Sequence, residues 1–213
     1  MLAHELAASG RRDMAAATML TFVFMLRPAE TMRLQGQDLV APVPLGARAR
    51  QKWSLVLHPL ERGVTSKTGE FDDTLLLDNP EFAWMGDVLS LLQEQAGRGP
   101  LWRFSQSSWV EHFRAAGMRL GLTRLGPPIL YQLRHGGASH EALTGFRDAW
   151  QLQQRGRWRS ETSVRRYAKG GRVNQVLALL DAQLLRHARG CECCVGNLLL
   201  GKSQPRRAPL ATA

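Results

Sequence analysis

Between residues 13 and 26 apolar side chains fall on nearly every side of a helical turn, from Met14 and Ala15 through Phe22, Val23 and Leu26. That pattern predicts a buried helix rather than an amphipathic one. Pro28 permits a new first turn through Ala29 to Leu34 and leaves Arg27 at a helix junction. From Leu39 to Leu77 the character changes: Trp53–Leu57 and Thr74–Leu77 read as short strands, with Ser66-Lys67-Thr68-Gly69 in the loop or strand edge between them. Asn79-Pro80 has the form of an N-cap followed by a first-turn proline, opening a helix to about Gln95 that Gly97, Gly99 and Pro100 end. A further helix covers Ser107 to Leu120, and Gly126-Pro127-Pro128 breaks the chain after it. Helices follow over 131–143, 146–155 and 161–168, the last capped by Ser160 and closed by Gly170-Gly171. A final helix, about Val173 to His187, aligns Val176, Leu177, Leu180 and Leu184 in one stripe, and the polar stretch 201–213 is expected to be disordered. The expected class is mainly α with a small antiparallel β-sheet, an α+β fold.

With 213 residues and 44% hydrophobic content the chain can bury a sizeable core, and one domain with a loose tail is the simplest division. The longest apolar run, Met19 to Leu26, is far too short to cross a bilayer, and His4, Glu5, Arg11, Arg12 and Asp13 interrupt any secretory pattern. An intracellular protein is expected. A formal charge of +10 favours a polyanionic partner. Residues 146–172 concentrate that charge, with Arg147, Arg155, Arg157, Arg159, Arg165, Arg166, Lys169 and Arg172 against only Asp148 and Glu161. Trp150, Trp158 and Tyr167 interleave with them, which suits phosphate contact, whereas a solvated face is the commoner origin of a charge run.

Cys191, Cys193 and Cys194 crowd near the end and form no disulfide framework. With His187 they offer four ligand atoms, but neither the spacing nor a second ligand pair matches the usual zinc patterns. No metal or cofactor is expected, and 189–213 reads as a cysteine-containing, disordered tail behind a domain spanning 1–188.

The chemistry concentrates on Tyr167, which follows Arg165 and Arg166, lies nine positions after Trp158 and thirty-three after Arg134. A phenol with a pKa near 10 is a poor nucleophile at neutral pH unless cations stabilise the phenolate and the phosphoryl oxygens it attacks. The only other tyrosine is Tyr131. Taken in order, Arg27-Pro-Ala-Glu30, Lys67, Tyr131-Gln-Leu-Arg134-His135, Trp158 and Tyr167 resemble the catalytic domain of the tyrosine recombinases, the phage-integrase-like DNA strand-exchange enzymes. The resemblance covers about residues 10 to 185. The stretch from Arg155 to Lys169 looks most like recombinases of eukaryotic mobile elements.

The resemblance implies a DNA breaking-rejoining core in which Arg27 and Arg134 grip the scissile phosphate through bidentate forks. It makes Glu30 an orienting residue for Arg27, and Lys67 the proton donor to the departing 5′ oxygen. Trp158 is implied as an indole donor to the phosphate, and Tyr167 as the nucleophile that forms a 3′-phosphotyrosine without ATP or metal. Arg155, Arg157, Arg159, Arg165, Arg166 and Lys169 would hold DNA. One position departs from the pattern: three residues before the second arginine the family has histidine or lysine, and here it is Tyr131. A phenol activates a hydroxyl poorly. Tyr131 could still hydrogen-bond the phosphate, or His135 could take over the activating role; the other reading of His135 is a buried histidine bonded to backbone.

The implied partner is double-stranded DNA, with homo-oligomers forming on it through the C-terminal helix and no membrane involved. The implied location is the nucleus in a eukaryote, or the cytoplasm and nucleoid in a bacterium. Members of this family carry an N-terminal helical domain, which this chain is expected to lack. A relative such as a type IB topoisomerase or telomere resolvase would share the site, and a DNA-binding remnant with impaired catalysis is the alternative from another class.

Overall fold

The computed structural model describes residues 1–43, 52–63, 73–168 and 170–206. In chain order the helices and strands are α1 (Leu2–Ala8), α2 (Arg12–Val23), α3 (Pro28–Arg33), β1 (Leu39–Val40), β2 (Ser54–Leu57), β3 (Asp73–Leu76), α4 (Met85–Ala96), α5 (Gln106–Arg119), α6 (Tyr131–Leu143), α7 (Ala149–Gly156), α8 (Glu161–Val164), α9 (Gly170–Leu177) and α10 (Ala182–Leu199). Short 3₁₀ turns join several of them. The mainly helical α+β class agrees with the sequence pattern. The chain forms two compact units, one made of Met1–Pro28 with Phe104–Ala213, the other of Ala29–Arg103.

In the discontinuous unit α2 is the central helix, packed by α1, α6 and α10. Met14, Ala15, Ala17, Leu20 and Val23 are buried, so the all-round apolar pattern is explained by neighbours on several sides. Two buried threonines satisfy their own hydroxyls within the helix, Thr18 Oγ1 donating to Met14 O and Thr21 Oγ1 to Ala17 O, both at 2.8 Å. Trp109 of α5 then donates its indole N–H to Thr18 Oγ1 at 3.2 Å.

The helix stops at Val23, three residues short of the expected end, because Met25 adopts the left-handed conformation with φ of 50°. Stopping there leaves the last carbonyls of α2 without helical partners. Two buried arginines meet this end of the chain: Arg155 Nη2 donates to Val23 O, the last carbonyl of α2, at 3.0 Å, and Arg134 Nη1 to Met25 O just beyond it at 2.7 Å. Cations at a helix C-terminus also complement the macrodipole. The close approach of α6 depends on Gly137, where a Cβ would stand 2.1 Å from the carbonyl oxygen of Phe22.

The inserted unit holds the sheet, antiparallel in the order β1-β2-β3, with Leu39 opposite Leu55 and Leu55 opposite Leu75. Leu55, Leu57, Leu75 and Leu77 are buried while Leu76 faces solvent, the alternation of a sheet with one covered face. Arg62 reaches both carboxylate oxygens of the buried Asp38 at 2.7 Å. Glu30 is also buried here, 3.9 Å from His58 Nε2.

Several sequence expectations need correction. Residues Leu2–Ala8 form a helix the apolar pattern did not announce, and Leu39–Val40 adds an edge strand. Asn79 caps a 3₁₀ turn over Pro80–Phe82, its Oδ1 accepting from Glu81 N at 3.0 Å, and α4 starts only at Met85. The Gly170-Gly171 pair opens α9 instead of ending a run, since glycine is tolerated in a first turn. The expected helix over 173–187 is two helices, because Asp181 restarts the chain as an N-cap bonded to Gln183 N. Leu184 thereby leaves the proposed stripe and is buried in α10, whereas Leu177 and Leu179 stay exposed. The tail expected to be disordered from 189 is helical to Leu199, with Cys191, Val195, Leu198 and Leu199 on its buried face. That face packs on α1 and α2 of the same unit, so α10 is core here. Residues 207–213 lie outside the described residues.

Candidate functional site

Three elements of the discontinuous unit bring the site residues together. Helix α6 supplies Tyr131, Arg134 and His135, the turn after α7 supplies Trp158, and the 3₁₀ turn Arg165–Ala168 supplies Arg166 and Tyr167. Ser160 caps α8, which leads into that turn, its hydroxyl accepting from Ser163 N at 3.4 Å. Arg157 sits in the left-handed region with φ of 53°, which reverses the chain after α7 and turns Trp158 back onto Gly156. Met25, Ala138, Leu152, Val164 and Tyr167 then close a small core, flanked by Ala142 and Trp158.

At its centre Tyr167 Oη and His135 Nδ1 are 2.5 Å apart. The phenol is only 4% exposed, whereas Tyr131 is 41% exposed. The His135 ring nitrogen thus meets Tyr167 and not backbone. The imidazole ring stacks on Tyr167 with centroids 5.6 Å apart and packs T-shaped with Tyr131 at 4.8 Å. Trp158 closes the other side of Tyr167 at 5.0 Å.

The electrostatics keep both partners uncharged at neutral pH. Burial, with Arg134 and Arg166 nearby, holds His135 below the ordinary histidine value, so it is a neutral imidazole at neutral pH. Burial raises the Tyr167 phenol, against the pull of Arg166 and Arg134. At rest both groups are uncharged, and in the tautomer whose hydrogen sits on Nε2 the phenol donates to an unprotonated Nδ1. This is a base already in contact with the hydroxyl it could activate.

A consequence for stability follows. The unfolded chain protonates His135 near 6.5 while the folded chain resists protonation to lower pH. Below 6.5 the unfolded state therefore binds more protons, and this contribution to stability falls as the solution is acidified. Urea midpoints measured from pH 7 down to 5 should decline more steeply for the native chain than for His135→Gln. Equal slopes, or a steeper slope in the variant, would show that His135 is not held neutral.

The other expected site residues fare differently. Arg134 is 1% exposed and spends both ends of its fork on main chain, Nη1 on Met25 O and Nη2 on Gly156 O. Its guanidinium also lies 4.9 Å over the Trp158 ring. In this conformation Arg134 is a strut that ties α6 to two chain segments, not a fork open to a phosphate. Arg155, expected to hold DNA, is buried as well: it bonds Val23 O, sits over Phe24 and lies 3.8 Å from Glu141 Oε2. A buried guanidinium bonded to a carbonyl and ion-paired with a carboxylate is not presented to solvent phosphates. Arg157 is half-buried and donates to Arg155 O at 3.1 Å, and Arg165 pairs with Glu161 at 3.3 Å on the surface. Arg159 and Arg166 are exposed, and Arg27 is half-buried at the end of this unit's first segment. Lys67 and Lys169 lie outside the described residues. Glu30 belongs to the inserted unit.

Sequence reasoning missed Glu141, whose carboxylate takes Arg147 Nε at 2.6 Å and faces Arg155. No periodic signal could have found it, because the two arginines lie six and fourteen residues further on. No helix among the described residues is long and apolar enough to cross a membrane. No protein-family model matches this chain, and no curated protein or solved structure matches it.

Proposed function

We propose that the Tyr167 site cleaves and rejoins DNA strands through a phosphotyrosine, the chemistry of the tyrosine recombinases. The observation that carries this reading is the 2.5 Å contact between a buried phenol and a neutral histidine beside Arg166. In the proposed step Tyr167 Oη attacks phosphorus and its proton passes to His135 Nδ1. The new O–P bond replaces the bond to the 5′ oxygen, which leaves as a hydroxyl after taking a proton from a donor that the family resemblance assigns to Lys67. The phosphodiester energy is kept in the phosphotyrosine, so religation reverses the same steps. Histidine one residue after the second arginine here does the work that the family gives to the position of Tyr131. DNA would be the substrate, approached over the exposed Arg159 and Arg166. Self-association on DNA, if it occurs, would use a surface other than the buried face of α10.

The alternative, a DNA-binding remnant, draws its support from Arg134, whose fork is engaged on carbonyls. Covalent capture separates the two. A randomised pool of nicked duplexes, in which the cleaved end diffuses away, should yield a denaturant-resistant protein–DNA adduct, mapped by peptide sequencing to Tyr167. Duplex binding without any adduct would favour the remnant.

A further inference from the structure

Far along the chain from the tyrosine, two helices of the discontinuous unit bring three ligand-bearing side chains to one point. His187 and Cys191 stand one turn apart on the same face of α10, with His187 Nε2 and Cys191 Sγ 3.3 Å apart. His4 comes from α1, its ring edge-on to His187 with centroids 5.8 Å apart. One ligand atom from each of the three lies within 4.8 Å of the other two. Tetrahedral zinc, with bonds of about 2.0–2.3 Å, holds neighbouring ligand atoms about 3.5 Å apart. The α10 pair is already at that separation, and His4 needs to close by roughly 1 Å.

His4 is the telling residue. It is fully buried, and its Nε2 accepts from Arg206 N–H at 2.9 Å. The ring hydrogen must then sit on Nδ1, which finds no hydrogen-bond partner among the described residues. A buried N–H donor left without an acceptor costs free energy comparable to a lost hydrogen bond.

We propose that His4, His187 and Cys191 form a binding site for a thiophilic divalent ion of the zinc class, clipping α1 to α10. Two imidazoles and a thiolate are a borderline-soft set that suits Zn(II) or Co(II) over magnesium or calcium. Cys191 loses its proton on binding, and the fourth position goes to water. The site differs from a set made of His187 and all three cysteines: Cys193 faces solvent, and Cys194 Sγ is turned onto Gly190 O at 3.2 Å. Binding also displaces the Arg206 amide. An ion on Nε2 replaces it directly, and an ion on Nδ1 sends the ring hydrogen to Nε2, where it repels the N–H.

The site is independent of the proposed DNA chemistry, and its test needs no activity. The full chain, reduced with a thiol-free phosphine, is titrated with Co(II) and followed for the thiolate-to-metal charge-transfer band and the visible bands of tetrahedral cobalt. One saturating equivalent is expected, displaced by Zn(II). His187→Gln and Cys191→Ser should each weaken binding at least about tenfold, and Cys191→Ser should abolish the charge-transfer band. Cys193→Ser should match the native chain. Helical content measured by circular dichroism identifies any variant that fails to fold, and the half-exposed His187 position keeps the test open if Cys191→Ser does. No tetrahedral cobalt spectrum in the native chain, or a charge-transfer band that survives Cys191→Ser but disappears in Cys193→Ser, would overturn the proposal.

Discussion

Tyr167→Phe is expected to remove the covalent DNA adduct altogether, a loss of more than about 1000-fold, while the fold and duplex binding stay close to native. The substitution deletes one oxygen. The ring keeps its place against Trp158 and within the core of Met25, Ala138, Leu152 and Val164. What disappears is the hydroxyl that meets His135 Nδ1. His135→Gln should be intermediate, because an amide oxygen still accepts the phenol's hydrogen bond but cannot take its proton. The expected loss there is about 100-fold or more in the rate of adduct formation. Tyr131→Phe should leave the adduct in place, since Tyr131 is 41% exposed and its ring contact with His135, 4.8 Å between centroids, survives the substitution. An adduct that survives Tyr167→Phe and vanishes in Tyr131→Phe would mean that the exposed tyrosine is the nucleophile.

Arg134→Met should cost about 3 kcal/mol of folding stability, read as a lower urea midpoint with an unchanged slope. Methionine fills much of the same volume but donates nothing. The carbonyls of Met25 and Gly156 lose charge-assisted donors in a buried setting, and Trp158 loses the cation over its face. Arg134→Lys should recover only part of the loss, because a single ammonium cannot reproduce a planar fork that spans two chain segments. If Arg134→Met kept native stability and lost only cleavage, the strut reading would fail and the residue would return to the phosphate.

The site was legible in outline because its residues carry unusual chemistry at fixed intervals. Helix α6 begins and ends where the pattern placed it, and one residue of helical rotation separates the buried Arg134 from His135 at the phenol. Choosing between a histidine that meets backbone and one that meets Tyr167 required a contact across 32 positions, which no local pattern encodes. Arg155 misled for a related reason. A charge run reads as a surface, yet Val23 O and Glu141 lie far from it in sequence and turn that arginine inward. Helix α1 was hidden because His4 and Glu5 interrupt its apolar positions. Glu5 is paired by Arg119 at 2.6 Å, a partner from α5 that makes its burial tolerable. The cysteine helix was missed because Gly190 and Gly196 and three cysteines weaken its intrinsic propensity, while packing on α1 and α2 overrides it.

The discontinuity of the larger unit also sets a timetable. During synthesis α1 and α2 leave the ribosome first, but their packing partners α5, α6 and α10 follow only after the whole of Ala29–Arg103 has been made. Closing a loop of that length adds little equilibrium cost, because loop entropy grows only logarithmically with length. The delay is kinetic. At about 5–20 residues per second, the apolar surface of α2 waits several seconds for α5 and α6. The inserted unit is contiguous and can assemble during that interval. The nascent chain is therefore most exposed to aggregation, and to capture by chaperones, through residues 14 to 26, well before Tyr167 has been translated.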